Sequence, residues 1–413
     1  MKSADKKFLE KIINKYSNDK NKINNYPLTT TPFETSDIIK GAETLIGGRI
    51  TMSKITSEFE SQFAKFLGVK YALMVNSGSS ANLLALFGLV NPKNKKKIKK
   101  NDECILPAIC WSTSLWPIVQ SGLKPVFIDV DLSTFNLNLE DLQKKINSRT
   151  KAVLAVHILG NCTNMNKLLK IVNKKKITLI EDTCESLGSV YNNKHLGTFG
   201  KYGTYSFFVS HQMTAGEGGM IVCNNIEDYK IIHALRAHGW DRGLFKKNNR
   251  NFNFVNSGFN LRPLDLTAAI GLSQFKRLNG MNKIRSDNRN RIINSLKKSL
   301  LWSEQFTFLD PIKKLKPSWF GLPILINKNY LKNKKKFLSY LNKNGIETRP
   351  IISGNFLNQP SIKLYGLNEN KKKFKNAQEI EDRGFFIGLH PHKINENTLK
   401  YLVSKLLQVG NII

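Results

Sequence analysis

The sequence predicts an α/β protein: a large doubly wound domain with a largely parallel or mixed sheet, then a smaller α+β domain at the C-terminus. Three observations carry this. Between Glu58 and Cys223 short apolar, β-branched runs alternate with stretches of helical period, the pattern of strands joined by crossover helices. The chain has 413 residues, 41% of them hydrophobic, enough for one large and one small core. Composition also changes beyond the polar stretch Trp240–Asn260, which is rich in Asn, Lys and Gly and reads as a long loop. The expected division is an extension at 1–25, a large domain at 26–281 and a small domain at 282–413.

The elements follow in order. Met1 to Asn25 is polar and lysine-rich and reads as a helical or frayed extension. Phe59, Phe63 and Phe66 recur at helical spacing in Glu58–Leu67. Strands are expected at Cys104–Ala108, Lys124–Val130, Ala152–Leu159, Ile177–Ile180 and Met220–Cys223, with helices at Leu139–Ile146 and Asn166–Val172 between them. A further helix is expected to start near Pro263, because proline suits a first turn. Lysine and asparagine runs at 327–336 and 371–375 interrupt the second domain without forming repeats.

Composition sets limits on function. Lys plus Arg number 64 against 31 Asp plus Glu, a formal charge of +33, which raises the question of nucleic-acid binding. The lysines are dispersed among asparagines, as in Asn91–Lys97, and no aromatics interleave with them. The expectation is therefore a solvated surface whose positive field favours an anionic small substrate, with no nucleic-acid partner. No uninterrupted apolar run reaches membrane-spanning length, and the N-terminus lacks the apolar core of a secretion signal. No membrane partner and a cytoplasmic location are expected. Five cysteines without CxxC spacing argue for reduced, buried thiols rather than disulfides, structural zinc or an iron–sulfur cluster.

Several segments point to chemistry. The apolar run Ile177–Ile180 leads into Glu181-Asp182. A carboxylate at the end of such a strand either faces a ligand in the crevice or caps the next helix. Ser77-Gly78-Ser79-Ser80 follows another strand and precedes a helix, so its backbone N–H groups either approach a phosphate or cap the helix. Trp111 follows the strand Cys104–Ala108 and can stack on a flat ring or fill core. His157 reads as either a core histidine or a site residue and stays off the catalytic set. His211, in Ser206-Phe207-Phe208-Val209-Ser210-His211, stands six residues before Glu217-Gly218-Gly219. An imidazole moves protons near neutral pH.

Together these strings, with Gly258-Phe259-Asn260-Leu261-Arg262-Pro263-Leu264, resemble the DegT/DnrJ/EryC1/StrS family of vitamin B6-dependent sugar aminotransferases. The resemblance runs from about Tyr26 to the C-terminus and implies the fold-type I architecture of enzymes using pyridoxal 5′-phosphate. It implies that Asp182 pairs with the pyridinium nitrogen. Glu185 would meet the ring hydroxyl, where the aminotransferases usually have glutamine, and Trp111 would stack on the ring. Gly78, Ser79 and Ser206 would hold the phosphate. Asn260 would reach it from the partner subunit, which implies a homodimer. The family's cofactor-anchoring lysine is replaced by His211, which cannot serve as the primary amine of a covalent anchor. Within the family this marks sugar 3-dehydratases, with pyridoxamine 5′-phosphate held non-covalently, His211 as the catalytic residue and L-glutamate as the amine source. Strings at 236–240, 318–321 and 349–356 resemble the subgroup acting on GDP-4-keto-6-deoxy-D-mannose, enzymes of deoxysugar and lipopolysaccharide synthesis. A CDP-sugar subgroup carries a [2Fe–2S] cluster with cysteines in the loop before the Asn260 string, but Trp240–Asn260 contains none. His238 and Arg349 are substrate contacts or surface residues. An aminotransferase using another lysine, and a non-catalytic basic binding protein, are the competing readings.

Overall fold

A computed structural model of the chain describes residues 3–17, 25–30, 33–96, 98–244 and 252–411. The expected alternation is present. In chain order the strands are β1 (Tyr71–Val75), β2 (Glu103–Pro107), β3 (Lys124–Ile128), β4 (Thr150–Val156), β5 (Thr178–Asp182), β6 (Val190–Tyr191), β7 (Lys194–His195), β8 (Tyr202–Ser206) and β9 (Gly219–Cys223). Seven of them form one sheet in the order β1-β9-β8-β5-β4-β2-β3. Only β9 runs against its neighbours. The carboxyl ends of β1, β2, β4, β5 and β8 therefore meet the amino end of β9 along one edge, and the register pairs Val75 and Ser206 with Gly219 there.

Both faces of this sheet are covered, which explains why its strands read as near-continuous apolar runs. Side chains alternate between faces along a strand: Leu73 and Val75 of β1 pack in one core, Ala72 and Met74 in another. Helices Gly78–Val90, Ser112–Gln120 and Ile226–Arg236 contribute to the first core, and Lys54–Leu67 and Asp265–Phe275 to the second. The three phenylalanines of Glu58–Leu67 split as helical geometry requires. Phe59 and Phe63 are fully buried, while Phe66 packs at the margin against Phe275.

The rest of the chain adds β10 (Phe306–Phe308), β11 (Leu315–Lys316), β12 (Gly321–Ile326), β13 (Thr348–Arg349) and β14 (Gly384–Gly388). A four-stranded sheet forms in the order β10-β12-β14-β13, and β11 joins the β6–β7 hairpin. The twenty-residue helix Leu278–Lys297 runs through Asn282 into this part of the chain. The segment around Tyr26 crosses to it: the Tyr26 hydroxyl donates to Gly388 O, and the ring stacks on His390. This carries Leu28 to the edge of the large sheet.

Several boundaries differ from the sequence reading. The run Ala152–Leu159 ends as a strand at Val156, because Leu159 turns left-handed (φ 52°) within a short 3-10 turn, Ile158–Gly160. The extension is helical over Ser3–Ser17; residues 18–24 lie outside the described residues, as do 245–251 of the expected loop. The helix expected near Pro263 starts at Asp265. Asp265 is buried because its carboxylate serves another helix, accepting from Ser53 N, Thr56 N and the Thr56 hydroxyl at 2.7, 3.0 and 2.6 Å. Asp265→Ala strips these bonds from the start of Lys54–Leu67 and should lower stability by about 1–2 kcal/mol. Urea titration checks this, and an unchanged midpoint would contradict it.

Candidate active site

The strand ends converge on a cavity of about 420 Å³. Gly78, Ser79, Trp111, Asp182, Glu185, Ser206, His211 and Arg349 all line it, as do Asn82, Ser114, His157, Phe208, Phe320 and Ile352. None of the described residues lining it is a lysine. Lys201 pairs instead with Asp228 and lines a different cavity.

Asp182 ends β5 and is 4% exposed. One carboxylate oxygen accepts from Asn82 Nδ2 at 2.8 Å and Ser114 Oγ at 2.7 Å; the other accepts from Cys184 N at 3.2 Å. Every donor is neutral, and among the described residues no cation pairs with it. A carboxylate in this setting is under-compensated. Thr204 of the neighbouring β8 donates to Asn82 Oδ1 at 2.6 Å, so the side chain that holds Asp182 is itself oriented.

Beside it, β1 runs into the N-terminus of helix Gly78–Val90, capped by Ser77 Oγ accepting from Ser80 N. Gly78 is required by space: a Cβ there would sit 2.6 Å from Ser206 Cβ and 2.9 Å from Cys184 Sγ. Without one, the helix N-terminus lies directly against the end of β8. Gly219 is equally tight, since its Cβ would meet Ser77 O at 2.4 Å. Free N–H groups, Ser79 Oγ and Ser206 Oγ thus line one end of the cavity, the arrangement that binds an oxyanion. Ser79 Oγ also bonds Thr113 Oγ1 at 2.9 Å. Trp111 is 58% exposed where it precedes helix Ser112–Gln120, leaving its indole open to the cavity.

Glu185 accepts from Leu159 N at 3.1 Å, and burial pushes its carboxyl up to about 8, with the Asp182 charge adding to the rise. His157 is committed to the fully buried Glu181 at 3.0 Å. Glu181 also accepts three backbone N–H groups, from Gly197, Phe199 and Gly200. His157 therefore has the contacts of a core histidine whose edge reaches the cavity floor.

His211 lies in the turn joining β8 to β9, its N–H donating to Phe208 O. Its ring packs edgewise to Phe320 and Phe208, centroids at 5.1 and 6.0 Å. Nδ1 is buried without a hydrogen-bond partner. Burial, and secondarily the Arg285 guanidinium, drives its pKa down to about 3, so the imidazole is a neutral base across the physiological range.

Two sequence-derived candidates lie elsewhere in the chain. Asn260 lines a separate cavity of about 900 Å³ with Arg49, Trp240 and Arg262, its Oδ1 accepting from Arg262 Nε. His238 is exposed in a left-handed turn (φ 61°) and lines neither cavity. Arg349 is at the cavity rim and pairs with Glu347 at 2.7 Å.

The DegT/DnrJ/EryC1/StrS aminotransferase family model matches residues 34–407. The chain belongs to this family. GDP-4-keto-6-deoxy-D-mannose 3-dehydratase of Escherichia coli O55:H7 is 38% identical over 378 residues, which are 89% of this chain and 95% of that protein. The solved structure of the Escherichia coli enzyme of that name with bound hydrated pyridoxal phosphate superposes with a TM-score of 0.86 at 37% identity, covering 92% of this chain and 99% of that one. A variant of GDP-4-keto-6-deoxymannose-3-dehydratase with bound GDP-perosamine gives 0.87 at 36% identity, covering 92% and 100%. The architecture is thus fold-type I.

Sequence reasoning passed over Asn82, Ser114, Phe208, Phe320, Gln212 and Arg285. Asn82 carried a signal: an amide in the middle of the apolar helix Gly78–Val90. Arg285 carried none, being distant in sequence from everything it touches.

Because His211 is depressed from 6.5 to about 3, the unfolded chain binds the extra proton between those values. Its contribution to stability is present above about pH 6.5 and is lost as pH falls toward 3. His211→Gln should flatten part of the acid-side loss of stability of the cofactor-free protein between about pH 6.5 and 4.5. Equal slopes for both proteins would contradict the burial of this imidazole.

Proposed function

We propose that this family member is a pyridoxal/pyridoxamine phosphate-dependent 3-dehydratase, which removes the C3 hydroxyl of a nucleotide-linked 4-keto-6-deoxyhexose. GDP-4-keto-6-deoxy-D-mannose is the substrate and L-glutamate restores the amine form of the cofactor. The single observation that carries this reading is His211, a neutral base in a cavity whose described lining residues include no lysine. The relatives support the substrate class: one is named for this reaction and another binds GDP-perosamine.

The residues present fit the cofactor. A buried carboxylate compensated only by neutral donors suits the protonated nitrogen of a pyridine ring. The Gly78 clearance leaves the helix N-terminus, Ser79 and Ser206 for its phosphate, and the open face of Trp111 suits stacking. Glu185, its carboxyl raised to about 8, is placed by analogy to meet the ring hydroxyl as a hydrogen-bonding acid. Asn260, on the other cavity, is assigned to the partner's cofactor phosphate in a homodimer, and Arg349 to the sugar nucleotide at the rim. His238 has no such support from its position. The protein is proposed to work in the cytoplasm; among the described residues no helix is long and apolar enough to cross a membrane.

When bound, pyridoxamine phosphate supplies an amine for the C4 ketone and a ring that accepts electrons. Asp182 keeps the ring nitrogen protonated. His211 moves the protons: as neutral imidazole it takes one, and as imidazolium it delivers one to the departing C3 hydroxyl. Phe208 and Phe320 flank the ring, and this burial disfavours the imidazolium, so a proton taken up there is readily passed on to the departing oxygen. Amino transfer, the competing chemistry of the family, needs an anchoring lysine, and none of the described residues lining the cavity is one.

Incubation with GDP-4-keto-6-deoxymannose, pyridoxal phosphate and L-glutamate should yield a 3-deoxy sugar by mass spectrometry, with CDP- and dTDP-linked substrates converted more slowly. An amino sugar as product would reject the assignment. In His211→Lys, borohydride should fix the cofactor to the chain and dehydration should fall by about 10²–10⁴-fold; an unchanged rate would remove His211 from the mechanism.

A further inference from the structure

Catalytic imidazoles are commonly oriented by a carboxylate or carbonyl on their second nitrogen. His211 has none: Nδ1 is buried and unpartnered, and the ring stands roughly perpendicular to those of Phe208 and Phe320. Its direction must therefore come largely from its backbone.

That backbone is gripped from one place. Arg285, in helix Leu278–Lys297, is 3% exposed. Its Nη1 donates to Gln212 O at 2.8 Å, its Nη2 to His211 O at 3.2 Å and its Nε to Leu389 O at 3.1 Å. All three acceptors are main-chain carbonyls, and among the described residues no carboxylate pairs with this guanidinium. A cation withdrawn from water without a counter-ion is costly unless its donors are well satisfied. Carbonyl dipoles satisfy it here only while the turn at His211–Gln212 and the chain just beyond β14 keep their positions. The neighbouring Gln212 braces the same turn, donating from Nε2 to Glu185 O and to Ser318 O. The turn carrying the base is thereby tied to the loop that bears Ser318 and Phe320, just before β12, and to Leu389 just beyond β14.

We propose that Arg285 is the positioning residue for His211, fixing the turn so that an imidazole with no hydrogen-bonded support still points into the cavity. The proposal rests on the dehydratase reading for its kinetic arm, but the clamp itself is a property of the cofactor-free protein. The guanidinium fork is needed because a single ammonium cannot span two consecutive carbonyls of one turn and a third on a distant segment in the same fixed geometry.

Arg285→Lys and Arg285→Met test it by two readouts. The first is amide hydrogen exchange of the 208–214 segment without cofactor, which should speed up in both variants while the large sheet is unchanged. The second is the split between kcat and cofactor affinity. Misplacing a base by about 1 Å costs on the order of 10²-fold in rate, so kcat should fall by about 10–10²-fold in Arg285→Lys with the dissociation constant for pyridoxal phosphate within about twofold. Wild-type exchange in folded Arg285→Lys overturns the clamp. So does a loss of cofactor affinity and thermal stability in parallel with kcat, which would make Arg285 a general core support. If Arg285→Met fails to fold, Arg285→Lys decides alone. Should the wild type not act on the sugar nucleotide, the exchange result still decides the clamp separately from the reaction.

Discussion

Asp182 is a carboxylate taken out of water and left with neutral donors, and the site is organised around that imbalance. The amide of Asn82, the hydroxyl of Ser114 and the N–H of Cys184 fix its position without neutralising it. Thr204 fixes Asn82 in turn. These groups come from two helices, the turn after β5 and the neighbouring strand β8, so the carboxylate links the layers around the large sheet. A charge held this way attracts a cationic ring nitrogen, and the chemistry proposed above requires that ring to stay protonated.

The other half of the site depends on close approach rather than charge. Gly78 and Gly219 bring β1, β8 and β9 together within distances that a Cβ would violate. The antiparallel insertion of β9 between β1 and β8 does the rest. It brings the β8–β9 turn, and with it His211, back over the same sheet edge that presents Asp182. A parallel arrangement would have sent the chain after β8 into a crossover helix instead.

Much of this was legible in the sequence because it is local. The alternation of apolar runs and helix-period stretches depends on periodicity alone, and Asp182, Gly78 and Trp111 sit at strand ends that such runs mark. What was not legible is pairwise and distant. Asn82 meets Asp182 across a long stretch of chain, and nothing near Asp265 in sequence shows that Thr56 engages it. His238 stood out by its string, yet it is exposed in a left-handed turn and lines neither cavity.

By itself, then, the sequence determined the α/β class and the strand-end positions of the candidate residues, and its resemblance to the family implied the exchange of an amine for an imidazole at position 211. The first two follow from spacing along one element. Only the tertiary structure decided which of these residues share a cavity, that His211 is a buried neutral base, and that its backbone hangs on Arg285. Burial, unpartnered nitrogens and a guanidinium bridging three carbonyls are relations between segments far apart in the chain. They exist only once the sheet edge has closed against the helix Leu278–Lys297 and the smaller sheet.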